Sequence, residues 1–247
     1  MSQPQRLIKH FITRRYLHYA KTTTSNMYPF MTYIHYGKIF ICGGTLIAPN
    51  WVMTAAHCVN NFWKYGPVDQ LQVTIGCNNI FEDQKYSAKL IKIIIHENYA
   101  EPSLRNDIAL IKLENNIPSE YGRPVNIPNV EVNATDRRAV ILGWGENEFN
   151  SYLGYLRCGL VNITSCPWFL NSDLNKICSL VPKRSFKTIT DTGDSGGALL
   201  LPRNDGFIQI GIISSEWEPF DDVYCKCCIF TDVTKYLDWI RFNLFYQ

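Results

Sequence analysis

Hydrophobic residues recur along this chain in short runs rich in β-branched and aromatic side chains, and turn-forming residues separate the runs. Runs of this kind are typical of β-strands, and many of them with almost no helical period between them predict an all-β barrel or sandwich. In the first half the runs are 30–36, 39–41, 45–47, 71–75, 90–95 and 108–113. In the second half they are 139–142, 160–163, 198–201, 207–213 and 229–233.

The two ends of the chain depart from the strand pattern. Residues 1–26 are polar and basic, and we expect them to be loosely held. Near the other end, apolar residues recur at steps of three and four, which predicts an amphipathic helix. Thr231 or Asp232 would cap its start, because either side chain can accept a hydrogen bond from a backbone amide. The apolar positions are Val233, Tyr236, Leu237, Ile240 and Leu244.

Composition places the chain among ordinary globular proteins. Its 247 residues are 46% hydrophobic and 19% charged, and the formal net charge of +2 points to neither nucleic acid nor a membrane as a partner. No apolar run approaches the roughly 20 residues that span a bilayer. Nine cysteines favour an oxidising compartment. We therefore expect an extracellular, secreted protein, although residues 1–21 lack the continuous apolar segment of a signal peptide.

One glycine-rich segment carries candidate chemistry, because Ser195 stands between Gly-Asp and Gly-Gly. Glycine permits backbone turns that other residues avoid, so the hydroxyl can project as a nucleophile. Serine needs a histidine base and a carboxylate that orients this base. His57, within residues 52–58, and Asp107, within residues 106–111, could fill these roles. Each residue alone has an ordinary structural interpretation, but the three contexts together favour catalysis.

These segments resemble the trypsin/chymotrypsin family of serine endopeptidases. The similarity extends over roughly residues 16–245 and its combined motifs are specific. The resemblance implies an all-β fold of two packed six-stranded antiparallel β-barrels with a C-terminal α-helix. The further matching segments are 42–47, 51–58, 143–145, 211–214 and 229–233.

The resemblance also implies the domain organisation. A trypsin-like protease domain would cover residues 16–245, after an extension or propeptide-like segment of residues 1–15. Within the domain, barrel one would cover about 27–121, barrel two about 122–232 and the helix about 233–245.

The implied reaction is hydrolysis of a peptide bond through an acyl-enzyme. Ser195 would attack the scissile carbonyl, His57 would relay the proton to the leaving amine, and Asp107 would orient the imidazole. Ser214 would donate a hydrogen bond to Asp107, and the amides of Gly193 and Ser195 would form the oxyanion hole. The expected partners are a protein or peptide substrate and a protein protease inhibitor. The chain would act as a monomer, without a cofactor or a metal.

The specificity pocket departs from the trypsin pattern. Counted back from Ser195, its floor is Ile189 followed by Thr190, so the acidic residue that would bind Lys or Arg is absent. Glu216 and Cys228 stand at wall positions that are usually glycine in the family. We expect a preference for small apolar side chains, or an unusual preference set by Glu216.

The alternative function is a protease homologue with low or no activity that binds a protein partner. A pocket closed by its bulky walls would favour this alternative. The contact surfaces would be the aromatic loops 62–65 and 216–220, because aromatic side chains are frequent anchors of interfaces. The intact set of candidate catalytic residues favours the enzyme.

Two family disulfides are implied, Cys42 with Cys58 and Cys166 with Cys178. Two other family bridges are altered. One has Ala139 and Leu201 near its two ends, and the other has Asp191 at its first end. Cys77 and Cys158 could form a further bridge, since spacing does not give connectivity. The remaining cysteines are Cys225, Cys227 and Cys228.

Family members are usually zymogens, and a new amino terminus pairs with the aspartate before the nucleophile, here Asp194. Cleavage after Arg15 would create a terminus at Tyr16, which is larger than the usual Ile or Val. Two alternatives stay open. An internal cation could replace the new terminus, or the fold could rarely become competent.

The loops carry two candidate modification sites and no candidate metal site. Asn133 and Asn162 begin Asn-X-Thr sequences and would be glycosylated in a secreted protein. Calcium binding, which is common in the family, is not expected, because Cys77 stands where an oxygen ligand would be needed. Glu82 and Asp83 are then surface charges.

Overall fold

The computed structural model describes residues 21–23, 27–60, 67–81, 86–145, 154–167, 175–181, 193–217 and 226–247. These residues form two antiparallel sheets and a C-terminal helix. The prediction of an all-β fold with two barrels and a terminal helix is confirmed.

Six strands form a closed barrel in the first half of the chain, in the order β2-β3-β4-β7-β6-β5. Each strand pairs antiparallel with its neighbours, and the inward-facing aliphatic side chains fill the interior. The strands are β2 Met31–Tyr36, β3 Ile39–Ala48, β4 Trp51–Thr54, β5 Leu71–Ile75, β6 Tyr86–Ile95 and β7 Ala109–Leu113.

The second sheet has the order β1-β9-β8-β11-β12-β13-β10, and without the short strand β1 it has six strands. The backbone amide of Thr164, just beyond β9, donates to the carbonyl of Cys178 in β10 at 2.9 Å, which brings the two edges together. The strands are β1 Lys21–Thr22, β8 Arg138–Gly143, β9 Arg157–Asn162, β10 Lys176–Val181, β11 Ala198–Arg203, β12 Gly206–Trp217 and β13 Lys226–Asp232.

One apolar cluster continues from the first barrel into the second and holds the two together. It includes Leu46 and Val52 of the first barrel and Leu142 and Ile212 of the second, all fully buried. A second cluster fills the other side of the second sheet and contains both Ala139 and Leu201. Apolar packing of Ala139 and Leu201 therefore stands where the family usually has a disulfide.

The C-terminal helix, α2 Leu237–Tyr246, follows a short 3₁₀ turn at Val233–Lys235. Asp232 caps the turn, because its carboxylate accepts a hydrogen bond from the Thr234 amide at 2.9 Å. Asp232 therefore caps the turn and not the helix. The residue before α2 is Tyr236, which makes no side-chain capping bond, so the predicted helix cap at Thr231 or Asp232 is wrong. None of the helices in the described part of the chain is long and apolar enough to cross a membrane.

Three details differ from the sequence-based expectation. The prediction that the N-terminal segment is loosely held is wrong for Lys21–Thr22, because these residues pair with β9. The runs 39–41 and 45–47 form one strand. Gly43 and Gly44 interrupt the hydrophobic pattern between the runs, but their backbones still pair with β2. Strands β4 and β10 were not predicted. Strand β4 pairs with β3 directly before it and with β7, and β10 pairs with β13, about 50 residues farther along the chain.

Candidate active site

Asp107 lies just before β7 and is fully buried, and donors surround its carboxylate. Its Oδ1 accepts the backbone N–H of His57 at 2.9 Å. Its Oδ2 lies 2.8 Å from Nδ1 of His57 and accepts the Ser214 hydroxyl at 2.6 Å. Both carboxylate oxygens are therefore satisfied, and they bring together His57, which follows β4 of the first barrel, and Ser214 in β12 of the second sheet.

The environment keeps this carboxylate ionised. Burial alone would raise the pKa of Asp107, but the hydrogen bonds from His57 and Ser214 and the charge of His57 outweigh it and lower the pKa. Because the folded-state pKa lies below the unfolded value, the carboxylate stabilises the fold at neutral pH. That contribution is lost as the pH falls through the folded-state pKa.

His57 lies on the short helix α1 Ala56–Val59, which follows β4 directly. An ionised carboxylate can only accept, so the nitrogen that faces Asp107 carries a proton, and in the neutral imidazole Nε2 then has the lone pair. The side chain is 22% exposed, so Nε2 is within reach of a substrate. This tautomer is the one a general base requires.

The disulfide between Cys42 and Cys58 ties α1 to β3 beside the imidazole, and Cys166 is joined to Cys178. Both implied bridges are therefore confirmed. Sulfurs of Cys42 and Cys58 lie within 4.8 Å of a His57 nitrogen, but a disulfide offers no thiolate for a metal.

Ser195 sits in a tight turn between the two barrels. Its carbonyl accepts the N–H of Gly43 in β3 at 2.8 Å, and the N–H of Gly196 donates to Ile213 in β12 at 2.9 Å. Gly43 follows Cys42, whose disulfide partner Cys58 follows His57. This chain of neighbours brings Ser195 to the side of the site that His57 occupies.

Among the described residues, the backbone hydrogen bonds do not include one donated by the amide of Gly193 or of Ser195. Gly193 has a φ of +92°. The hydrogen bonds among the described residues also do not include one between the Ser195 hydroxyl and His57. Catalytic hydrogen bonds are often long before a substrate binds and tighten afterwards.

The side chain of Asp194 contacts the loop after β8. Its Oδ1 accepts the amide of Gly145 at 2.8 Å. A Cβ atom on Gly143 would lie 2.0 Å from the same oxygen, which explains the small residue there. The backbone of the Gly143-Trp144-Gly145 segment therefore holds this carboxylate. Residues 14–16, its expected activation partner, lie outside the described residues.

The candidate pocket is described in part. Ile189 and Thr190 lie outside the described residues. Glu216 in β12 pairs directly with Cys228 in β13, after a register shift between Ile213 and Ser215. Cys228 is buried and Glu216 is exposed. The two side chains expected at the pocket walls therefore lie opposite each other on neighbouring strands.

The remaining candidates are placed as follows. Cys77 and Cys158 are buried thiols and do not bridge each other, and Cys77 donates to the carbonyl of Asn79 at 2.5 Å. The suggested bridge between them is therefore wrong. Asn133 and Asn162 are exposed, as glycosylation requires. Residues 62–65, 82–83, 191, 218–220 and 225 lie outside the described residues.

Sequence reasoning missed one contact to the site. Thr231 was a candidate helix cap, but its hydroxyl donates to the backbone carbonyl of Asp107 at 2.9 Å. The two residues are 124 positions apart, and periodicity carries no signal for such a contact.

Comparison with known proteins identifies a family and several proteins that are similar to this chain. The family model described as Trypsin matches residues 19–240. Chymotrypsin-C of Mus musculus is 32% identical over 216 residues, which cover 81% of this chain and 76% of that protein. Serine protease SSP1 of Scolopendra subspinipes is 31% identical over 88% of this chain and 79% of its own length. Granzyme B of Rattus norvegicus is 30% identical over 86% of this chain and 85% of its own length.

Proposed function

This chain belongs to the trypsin family of serine endopeptidases, and from that premise we propose that it hydrolyses peptide bonds through an acyl-enzyme on Ser195. The observation that carries the proposal is the arrangement at Asp107. Its carboxylate orients the His57 imidazole from one side and is itself held by Ser214 from the other. Protein and peptide chains are the substrates of such an enzyme.

In the proposed reaction, the Ser195 oxygen forms a bond to the scissile carbonyl carbon while Nε2 of His57 takes the hydroxyl proton. The carbon–nitrogen bond then breaks, and the same proton passes to the leaving amine. Water, activated by His57, afterwards releases the acyl group from Ser195. Asp107 stays ionised throughout and stabilises the imidazolium.

The amides of Gly193 and Ser195 would donate to the oxyanion of the tetrahedral intermediate. Losing one such donor typically costs a factor of about 10²–10³ in turnover. The turn at Ser195 is held by hydrogen bonds to both β3 and β12, which fixes the direction of these amides before the substrate arrives.

The experiment that tests this function is labelling with a fluorophosphonate probe, before and after limited tryptic cleavage. We expect the probe to phosphonylate the folded protein and the label to map by mass spectrometry to the peptide that contains Ser195. Urea-unfolded protein provides the control and should take up no label. Folded protein that stays unlabelled in both forms would favour the inactive, partner-binding homologue instead.

The substrate preference is the finer part of the proposal. The side chain before the scissile bond would be small and apolar, or of a kind selected by Glu216, since Ile189 supplies no charge for Lys or Arg. In a peptide library, we expect cleavage after Ala or Val to exceed cleavage after Arg by about tenfold or more.

Glu216→Gln separates the two forms of this preference, because it keeps the size of the side chain and removes its charge. The cleavage profile should persist if bulk sets the preference and change if the carboxylate sets it. Glu114→Gln, at an exposed glutamate after β7, is the matched control. A wild-type profile dominated by Arg or Lys would contradict the whole preference.

We further propose a secreted, monomeric glycoprotein that is made as a zymogen, cut after Arg15 and held in check by a protein inhibitor. The two disulfides support secretion, and the exposed Asn133 and Asn162 support glycosylation. The intact mass of protein secreted by eukaryotic cells, before and after removal of N-glycans, tests glycosylation and cleavage. An unmodified full-length mass would contradict both.

A further inference from the structure

The residue before Asp107 has an unusual backbone conformation. Asn106 has a φ of +52°, in the left-handed region that asparagine tolerates better than most residues. Its carbonyl accepts the amide of Ile108 at 2.8 Å, which closes a tight turn with Asp107 at the centre. The direction of the Asp107 side chain therefore depends on how Asn106 is held.

Two hydrogen bonds hold the side chain of Asn106. Its Nδ2 donates to the carbonyl of Asn98 at 2.7 Å, within the loop that leads to Asp107. Its Oδ1 accepts the hydroxyl of Tyr236 at 3.0 Å, across 130 residues of sequence. Both ends of the amide are therefore engaged, one locally and one by the C-terminal part of the chain.

Tyr236 is itself fixed in position. It stands at the start of α2, where its carbonyl accepts the amide of Ile240 at 2.8 Å. Its side chain is buried, with 4% of the residue exposed, and packs edge-on against His96 at 5.3 Å between ring centres. A buried hydroxyl that loses its partner is costly, so this bond has a strong preference to stay formed.

We propose that Tyr236 and Asn106 are positioning residues that hold Asp107 in register with His57. The terminal helix then acts on the active site through them, although neither residue touches the substrate. Thr231 fixes the carbonyl of Asp107 from the second barrel, and Asn106 fixes the residue before it. The inference rests on the proposed function, because it assigns these residues a part in activating Ser195.

The test measures phosphonylation by a fluorophosphonate after limited tryptic cleavage, resolved into the maximal rate kinact and the half-saturating concentration KI. Tyr236→Phe removes the hydroxyl and keeps the ring against His96. We expect kinact to fall about five- to tenfold with KI unchanged, since one positioning hydrogen bond is lost. Asn106→Gly keeps the left-handed backbone conformation accessible and removes both side-chain hydrogen bonds. We expect it to lower kinact at least as much as Tyr236→Phe does.

Tyr36→Phe is the matched control, because it removes a hydroxyl on the first barrel that donates to the exposed Gln70 at 2.6 Å, away from Asp107. The decisive measurement repeats Tyr236→Phe in an Asp107→Asn background. If Tyr236 acts through Asp107, the second substitution should add no further loss of kinact. A merely structural role would reduce the rate equally in both backgrounds.

The outcomes separate this inference from the proposed function. Wild-type protein that is labelled at Ser195, together with a Tyr236→Phe variant that reacts at the wild-type rate, would overturn the positioning role alone. If Tyr236→Phe lowers kinact by the same factor with Asp107 and with Asn at position 107, the positioning role is overturned as well. Wild-type protein that is folded and stays unlabelled both before and after tryptic cleavage would overturn both.

Discussion

Asp107→Asn should slow phosphonylation of Ser195 by about 10⁴-fold while the protein stays folded. The reason lies in the donors around the carboxylate. Oδ1 accepts the backbone amide of His57, and Oδ2 faces its Nδ1. If the side-chain oxygen of the substituted asparagine keeps the hydrogen bond from the His57 backbone amide, the side-chain NH₂ group must face Nδ1 of His57. Nδ1 then has to accept a hydrogen bond. The proton moves to Nε2, and His57 can no longer take a proton from Ser195.

The measurement is the rate of fluorophosphonate labelling, with thermal unfolding as the check that the fold persists. Asp205→Asn is the matched control, since Asp205 lies in an exposed turn and should label at the wild-type rate. A loss of less than about tenfold for Asp107→Asn would mean that His57 does not depend on this carboxylate, and the proposed roles would be wrong.

The three proposed catalytic residues could be predicted from the sequence because each lies in a short segment with a distinctive composition. Ser195 is flanked by glycines, and His57 and Asp107 stand next to strands. These are local signals. They give the residue types that the chemistry requires, and the resemblance then supplies the architecture that brings them together.

The contacts that hold these residues could not be predicted, because they join distant parts of the chain. The bond from Tyr236 to Asn106 spans 130 positions, and Thr231 was taken for a helix cap. The pairing of Glu216 with Cys228 depends on a register shift that no hydrophobic pattern reveals. Local composition identifies reactive groups, whereas their orientation depends on the whole fold.

The barrels meet at the proposed nucleophile, and we therefore expect its turn to tolerate little change. Gly43 donates its amide to the carbonyl of Ser195, and its own carbonyl accepts the hydroxyl of Thr54 at 2.8 Å. The backbone of β3 is therefore held on both sides just where the turn approaches. The β3 backbone therefore cannot move aside to make room for a larger side chain in the turn.

Gly196→Ala should therefore abolish labelling and destabilise the protein by about 3 kcal/mol or more. The new Cβ would lie 2.2 Å from the carbonyl oxygen of Gly43 and 2.4 Å from Thr54 Oγ1, and the residue has a φ of +78°. Relief of this clash would have to break the bond between Gly43 and Ser195 and turn the hydroxyl away from His57. Urea unfolding and fluorophosphonate labelling measure the two effects.

Gly37→Ala separates the clash from the backbone strain. Gly37 has a similar φ of +56°, but nothing lies within 4 Å of its Cβ position. We expect it to cost only the strain of the left-handed conformation, about 1–2 kcal/mol, and to leave labelling unchanged. If Gly196→Ala is no more destabilising than Gly37→Ala and still reacts with the probe, then the close approach of the barrels at Gly43 does not set the position of Ser195.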